Sequence, residues 1–210
     1  MANLDFVALG LAFGVLLVSL TVHEMAHAWT ADQLGDPLAR RLGRVSLNPA
    51  VHVDLFGTVI LPLVAFLSGL PIIGWAKPVP VNLAALREPR RDFMVIAAAG
   101  PISNLLLAGL ASLLLHAQAG WPGAAGGTTA WALRLTLQVN VLLALFNLVP
   151  IPPLDGGNVV GGLLPPRLAD RYDGLIRPYG FLVLYALLFT GALNTLVFSP
   201  AFRISRMLLP

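Results

Sequence analysis

The sequence has no cysteine and few charged residues. Among its 210 residues, Cys is absent and Asp, Glu, Lys and Arg together make up 11%. Without Cys the chain has no disulfide framework, no thiolate nucleophile and no Cys-based metal site. Soluble domains carry about a quarter charged residues. The shortage of charge therefore argues against an ordinary soluble domain.

Long uncharged runs take the place of the missing charge. The chain is 57% hydrophobic, with a mean hydropathy of +0.81. Five runs lie near the roughly 20 residues that span the hydrocarbon core of a bilayer, at 6–22, 55–73, 93–117, 135–149 and 179–198. We therefore predict an all-α polytopic protein of the cell membrane, with about four to five transmembrane helices.

The polar segments between these runs are short. None reaches the 50 or more residues of an independent domain, so we predict one domain over 1–210, with core motifs at 16–160 and a C-terminal helix at 174–198. Residues 1–10 contain no Lys or Arg, and a removed secretory signal is not expected. The net charge of +3 comes from the short loops. It indicates contact with the lipid bilayer rather than with nucleic acid.

The basic residues constrain the path of run 55–73. Arg40, Arg41 and Arg44 precede the run, and four basic residues follow it over 77–91, whereas 118–128 is uncharged. If the run crosses the membrane, its basic flanks face opposite sides. If it is re-entrant, both flanks stay cytoplasmic, as the positive-inside rule prefers. Gly and Pro residues within the run favour the re-entrant path.

The segment "HEMAH" carries the strongest chemical signal. His23 and His27 are four residues apart, so on a helix both imidazoles face one side and can bind one metal ion. Glu24 then lies where it can act on a water bound to the metal. The alternative is a helix end where His and Glu meet the membrane surface.

A catalytic zinc site needs a third protein ligand besides a water. His116 ends a run and reads as an interfacial residue, which leaves His52 and Asp155. Asp155 lies in "FNLVPIPPLDGGNVV", where it is either a ligand or a turn residue before Gly-Gly. If 55–73 is re-entrant, Asp155 lies on the same side of the membrane as His23. The ligand interpretation therefore depends on the re-entrant one.

Three motifs together resemble one family. "HEMAH", "AAAGPISN" (97–104) and "NLVPIPPLDGG" (147–157) follow one another as in the site-2 proteases. The flanking "RLGRVSLNPAVHVDLFGTVILP" and "GWAKPVPVN" are similar to the compact bacterial branch, which lacks PDZ and CBS domains. The resemblance covers roughly residues 15–160.

The resemblance implies an intramembrane zinc metalloprotease. It makes His23, His27 and Asp155 the ligands of one Zn²⁺ per chain, with Glu24 as the general base. It also implies that Asn147 binds substrate or the oxyanion. Expected substrates are membrane-spanning proteins or peptides in regulated intramembrane proteolysis, with the active site toward the cytoplasmic side.

Several roles stay open. Asn104 either binds substrate or the oxyanion, braces the active site, or joins helices. His52 and Asp54 either orient a ligand or cap the element that follows them. Residues 40–48 and 74–82 form either a short membrane-associated β element or proline-stiffened loops. A zinc transporter and an inactive membrane scaffold are the rival functions. The oligomeric state is not predicted.

Overall fold

The chain is mostly helical in the part that the structure describes. A computed structural model describes residues 6–61, 64, 76–118 and 127–210. The α-helices are α1 (Phe6–Gln33), α2 (Leu38–Arg41), α3 (Pro89–Gln118), α4 (Thr128–Asn147), α5 (Asp155–Leu163), α6 (Pro166–Ile176), α7 (Gly180–Phe189) and α8 (Ser199–Leu208). Short 3₁₀ or π turns lie at Pro49–Val51, Leu55–Ile60, Leu83–Ala85, Arg177–Tyr179 and Asn194–Phe198.

Three helices, α1, α3 and α4, are long and apolar enough to cross a membrane. A bent pair, Pro166–Phe189 and Asn194–Leu208, turns by 83° and brings the number to four if it counts as one span. The described residues thus confirm an all-α fold with three or four candidate membrane spans. The predicted number of four to five stays a prediction, because most of run 55–73 lies outside them. Where the sequence predicts one helix over 174–198, the structure has the end of α6, a 3₁₀ turn, α7 and a π turn, with the bend between α7 and the π turn.

The packing surfaces between the long helices are lined by small side chains. A central cluster of α3, α4 and α8 contains mostly alanine together with a few larger residues, namely Ala108, Ala111, Leu115, Ala130, Leu137, Val141 and Ala201. Large side chains such as Leu106 and Leu113, about 70% exposed, point outward. Small residues inside and large apolar residues outside are typical of helices that pack within lipid.

Helix α3 occupies the centre of the bundle. It packs against α1, α4 and α5, and its buried face carries Gly100, Pro101 and Asn104. Pro101 has no backbone N–H, so Ala97, four residues earlier, loses its helical hydrogen bond. The site described below lies along this turn of α3.

Two loops are tied together beside the N-terminal end of α3. The buried Asp36 carboxylate accepts backbone N–H bonds from Leu38 (3.0 Å) and Asn82 (2.6 Å). The Lys77 N–H donates to the His52 carbonyl at 2.8 Å. These bonds hold the two chain segments on either side of run 55–73 next to each other.

The predicted β element is not found in the described residues. Residues 40–48 form the end of α2 and turns, and 76–82 has no regular secondary structure, which fits the proline-stiffened loop. Of the predicted re-entrant segment, Leu55–Ile60 is one π turn. Residues 62–63 and 65–75 lie outside the described part of the chain, so the path of the segment stays a prediction.

The packing of α3 against α4 and α8 predicts the effect of a larger side chain. Ala111 is 2% exposed, so Ala111→Leu forces extra methyl groups into a filled interface. We expect the free energy of unfolding to fall by about 1–3 kcal/mol, measured by unfolding in detergent. Leu113→Ala on the outer face is the control. A larger loss for Leu113→Ala than for Ala111→Leu would contradict this packing.

Candidate metal centre

Two histidines from one turn of α1 face the interior of the bundle. His23 and His27 are 4% and 8% exposed. Their Nε2 atoms are 3.1 Å apart, and their rings meet edge to face with centroids 4.7 Å apart. The four-residue spacing in "HEMAH" therefore directs both Nε2 atoms to one point, as predicted for a helix.

Asp155, at the first position of α5, completes the group. Its Oδ2 lies 3.1 Å from His23 Nε2 and 3.4 Å from His27 Nε2. This oxygen is buried and has no partner in hydrogen-bonding geometry among the described residues. The structure thus brings Asp155 to two histidines that precede it by more than 120 positions in the sequence.

The spacing of the three atoms fits a metal ion. A tetrahedral zinc site with bonds of roughly 2.0–2.1 Å places its ligand atoms about 3.3 Å from one another. The three observed separations are 3.1, 3.1 and 3.4 Å. Two imidazole nitrogens and one carboxylate oxygen are also the donors of a catalytic zinc site. The residues present therefore fit zinc.

The orientation of each histidine follows from its second nitrogen. His27 Nδ1 lies 2.7 Å from the Ile96 carbonyl, which can only accept, so Nδ1 carries the hydrogen. His23 Nδ1 lies 2.6 Å from Asn104 Oδ1, also an acceptor. Each Nε2 is then left with a lone pair directed at Asp155. That tautomer is the one a metal ligand needs.

Burial alone would raise the pKa of Asp155. Protonated imidazoles at His23 and His27 offset this, because their Nε2–H groups donate to the carboxylate and lower its pKa from 3.8 to about 2. With the neutral tautomers and their Nε2 lone pairs, a bound cation would take the place of those hydrogens. A carboxylate binds a metal ion in its ionised form.

The chain before and after Asp155 is held by close backbone contacts. A Cβ on Gly156 would lie 2.3 Å from the Leu148 carbonyl oxygen, and a Cβ on Gly180 would lie 1.7 Å from that of Pro152. The Tyr172 hydroxyl donates to the Pro150 carbonyl at 2.8 Å. Helix α6 and the start of α7 therefore fix the loop that positions Asp155.

Gly100 lets α3 pass directly against the two imidazoles. A Cβ at this position would lie 2.4 Å from His27 Nε2 and 2.6 Å from His23 Cε1. No side chain fits between α3 and the histidines at this level. The glycine of "GPISN" thus belongs to the site itself as well as to the packing of helices.

Glu24 lies beside His23 and is half-buried. Within the described residues it makes no side-chain hydrogen bond or ion pair. A carboxylate that is partly shielded from solvent and unpaired is available to take a proton. This placement is compatible with the predicted general base.

The other predicted residues lie in different surroundings. Asn104 is fully buried against His23, which fits bracing of the site better than binding of a substrate. Asn147 donates to the Leu143 carbonyl of its own helix. Asp54 caps the turn after it by accepting from the N–H groups of Phe56 and Gly57. His52 donates from Nε2 to the Ser46 carbonyl, in the loop region.

Sequence reasoning missed several residues around His23 and His27. The Ile96 carbonyl orients His27, and no side-chain pattern points to a backbone oxygen. Asn140 and Ser19 contact Asn104, which contacts His23. An asparagine within the apolar run 135–149 was the available signal, because a buried amide in a span needs a partner.

The chain matches the family model for peptidase family M50 over residues 11–130 and 123–190. It is 38% identical to "Putative zinc metalloprotease YwhC" of Bacillus subtilis over 196 residues, which are 91% of this chain and 85% of YwhC. It is 35% identical to "Putative zinc metalloprotease Rip2" of Mycolicibacterium smegmatis over 183 residues, 85% of this chain and 66% of Rip2. No solved structure has a significant match to the chain.

The close approach at Gly100 predicts a selective defect. Gly100→Ala places a methyl group against the metal-directed edge of both rings, so we expect at least about tenfold weaker metal binding, the size of effect seen when the groups that orient metal ligands are removed. Elemental analysis and chelator competition on the purified protein measure it. Gly109→Ala in the same helix is the control, because nothing lies within 4 Å of its Cβ. Equal metal affinity of the two variants would refute the contact.

Proposed function

The chain belongs to peptidase family M50, the site-2 protease family, and we propose that it hydrolyses peptide bonds of membrane-spanning substrates with the help of zinc. Family membership makes it a metalloprotease. The observation that carries the proposal is the convergence of His23, His27 and Asp155 on one point between α1, α3 and α5. These residues would hold one zinc ion per chain.

Each group at the site has a place in hydrolysis. Zinc, when bound, supplies Lewis acidity that activates a water and polarises the scissile carbonyl. Glu24 accepts a proton as the water oxygen attacks the carbonyl carbon, and it returns that proton to the amine as the C–N bond breaks. Asn147, at the end of α4, is proposed to bind the substrate backbone or the developing oxyanion.

The position of the site supports membrane-spanning substrates. His23 and Gly100 lie within the two candidate spans Val7–Gln33 and Pro89–Gln118. A substrate that reaches this depth has its backbone bonded within its own helix. It must unwind locally and find new partners for the freed N–H and C=O groups. Short membrane-spanning protein or peptide segments are the substrate class proposed here.

We further propose that run 55–73 is re-entrant and that the site faces the cytoplasm. The bond from Lys77 N–H to the His52 carbonyl brings both ends of the run together, so the chain leaves and returns at one place. All but three of the 13 Lys and Arg residues lie in the segments at this end. The exceptions, Arg134, Arg203 and Arg206, are on α4 and α8. A basic excess supports a cytoplasmic orientation.

The rival functions fit less well. A zinc transporter or an inactive scaffold would share the metal group. Neither explains a half-buried Glu24 next to His23 that has no partner among the described residues, nor the match to a peptidase family over most of the chain. The protease function accounts for all of these features together.

Glu24→Gln separates metal binding from turnover. The amide cannot take the water's proton, so we expect cleavage to fall by about 10²–10⁴-fold while the metal content stays that of the wild type. A panel of fluorogenic single-span peptides in detergent, with zinc quantified in the same samples, measures both. Full cleavage by this variant would remove Glu24 from the mechanism.

Asp155→Ala serves as the matched variant in that experiment. It deletes a metal ligand, so zinc and cleavage should be lost together. Zinc retained at the wild-type level in Asp155→Ala would overturn the ligand set. Wild-type protein that binds no zinc and cleaves no peptide would overturn the proposed function.

The natural absence of Cys allows a direct test of topology. We expect Leu47→Cys and Leu83→Cys, whose side chains are 63% and 46% exposed, to react with a membrane-impermeant maleimide only after the cells are permeabilised. Thr128→Cys, at the opposite end of the bundle, should react in intact cells. Labelling of Leu47→Cys and Leu83→Cys from opposite sides would show that run 55–73 crosses the membrane.

A further inference from the structure

Four polar side chains form a continuous buried network between α1, α3 and α4. Ser19, His23, Asn104 and Asn140 are all 4% exposed or less. Asn140 on α4 lies next to Asn104 on α3, and Asn104 lies next to His23 on α1. The proposed zinc function uses only His23 directly. The other three residues require their own explanation, because buried polar groups between membrane-spanning helices are costly unless they act together.

The donor and acceptor of each hydrogen bond in this network can be assigned by starting from Asn140. Its Nδ2 lies 2.8 Å from the Thr136 carbonyl and 2.8 Å from Ser19 Oγ. The carbonyl can only accept. Ser19 Oγ already donates its one hydrogen to the Val15 carbonyl at 2.7 Å, so it too must accept from Asn140. Two acceptors therefore fix the amide of Asn140 in one orientation.

The orientation of Asn140 also determines which atom Asn104 presents to His23. With its Nδ2 held by Thr136 and Ser19, Asn140 presents Oδ1 to Asn104, whose Nδ2 donates to it at 2.7 Å. Asn104 then presents Oδ1 to His23 Nδ1 at 2.6 Å. An oxygen at that position requires the hydrogen on Nδ1. The Nε2 of His23 consequently keeps its lone pair toward His27 and Asp155.

We propose that Asn140 is a positioning residue for the metal centre, which fixes the tautomer of His23 through Asn104. This inference rests on the proposed zinc site. Among the described residues, Asn104 Nδ2 has one other acceptor, the Ser19 carbonyl at the longer distance of 3.4 Å. Without the shorter bond to Asn140, the amide of Asn104 can turn and offer Nδ2 to His23. His23 Nδ1 would then accept, the hydrogen would move to Nε2, and that atom could no longer bind a metal. His27 needs no such relay, because the Ile96 carbonyl is an acceptor in every orientation.

The test uses one variant that breaks the relay and one that bypasses it. Asn140→Leu removes all its hydrogen bonds at similar volume, and we expect 10- to 100-fold weaker zinc binding. Asn104→Asp replaces the amide by a group that only accepts, so His23 keeps its hydrogen on Nδ1 whatever residue 140 is. The double variant Asn104→Asp/Asn140→Leu should therefore recover affinity close to that of Asn104→Asp alone.

Two readouts are needed on the purified chain in detergent. Zinc affinity is measured by chelator competition, and the tautomer of His23 by long-range ¹⁵N–¹H spectra of the zinc-free protein labelled at histidine, assigned with His23→Gln. In Asn140→Leu the spectrum should lose the Nδ1–H form of His23 alone. Ser112→Ala is the control, because it removes a buried bond to the Leu208 carbonyl away from the site. If Asn140→Leu does not fold, Asn140→Thr replaces it, since its hydroxyl can bond back to Thr136 but is too short to hold Asn104.

The outcomes separate this inference from the proposed function. Wild-type affinity in Asn140→Leu, or an unchanged His23 tautomer, would overturn the relay while leaving the zinc site intact. Weak binding that Asn104→Asp does not restore would show that Asn140 acts through packing, which also overturns it. A wild-type chain without zinc affinity would instead refute the function on which the inference rests.

Discussion

Polar groups buried between the membrane-spanning helices must find their partners inside the protein, because lipid offers no hydrogen bonds. In this chain the same contacts satisfy the buried polar groups and orient the residues of the metal centre. His23 is satisfied by Asn104 of α3, and His27 by a backbone carbonyl of the same helix. Asn104 is in turn satisfied by α4 and α1. The hydrogen bonds that set the register of the three helices therefore also set the direction of the metal-binding lone pairs.

Close approach of the helices makes these contacts available. Apolar side chains of ordinary size would keep α1 and α3 apart, as they do on the lipid-facing surface of the bundle. Gly100 removes the side chain at the level of the histidines, and alanine lines much of the remaining interface. The glycines after Asp155 do the same for α5, where the backbone of 148–152 fills the space that a Cβ would occupy. The metal centre therefore depends on positions where a backbone packs directly against its neighbours, with no side chain between them.

The sequence predicts the features that depend on local spacing. His23 and His27 share a face because four residues make about one helical turn. For Asp155 the topology only favoured a ligand over a turn residue, and the family resemblance supplied the assignment. Contacts that depend on how two helices slide and rotate against each other have no such local period, so the roles of Ile96 and Asn140 were not foreseen. The break within 179–198 was hidden by uniform hydrophobicity. Its marker is Gly191, whose φ of 74° ends the preceding helix.

The bracing of the Asp155 loop has a consequence for biogenesis. Its partners, Tyr172 and Gly180, come after Asp155 in the chain, and two of the three residues at the metal centre come near its beginning. A ribosome that has made α1, α3 and α4 has produced the two histidines, but neither Asp155 nor the segments that hold it. At that stage of synthesis the group of three cannot yet form. The proposed metal centre is therefore assembled only after α6 and the start of α7 have been made.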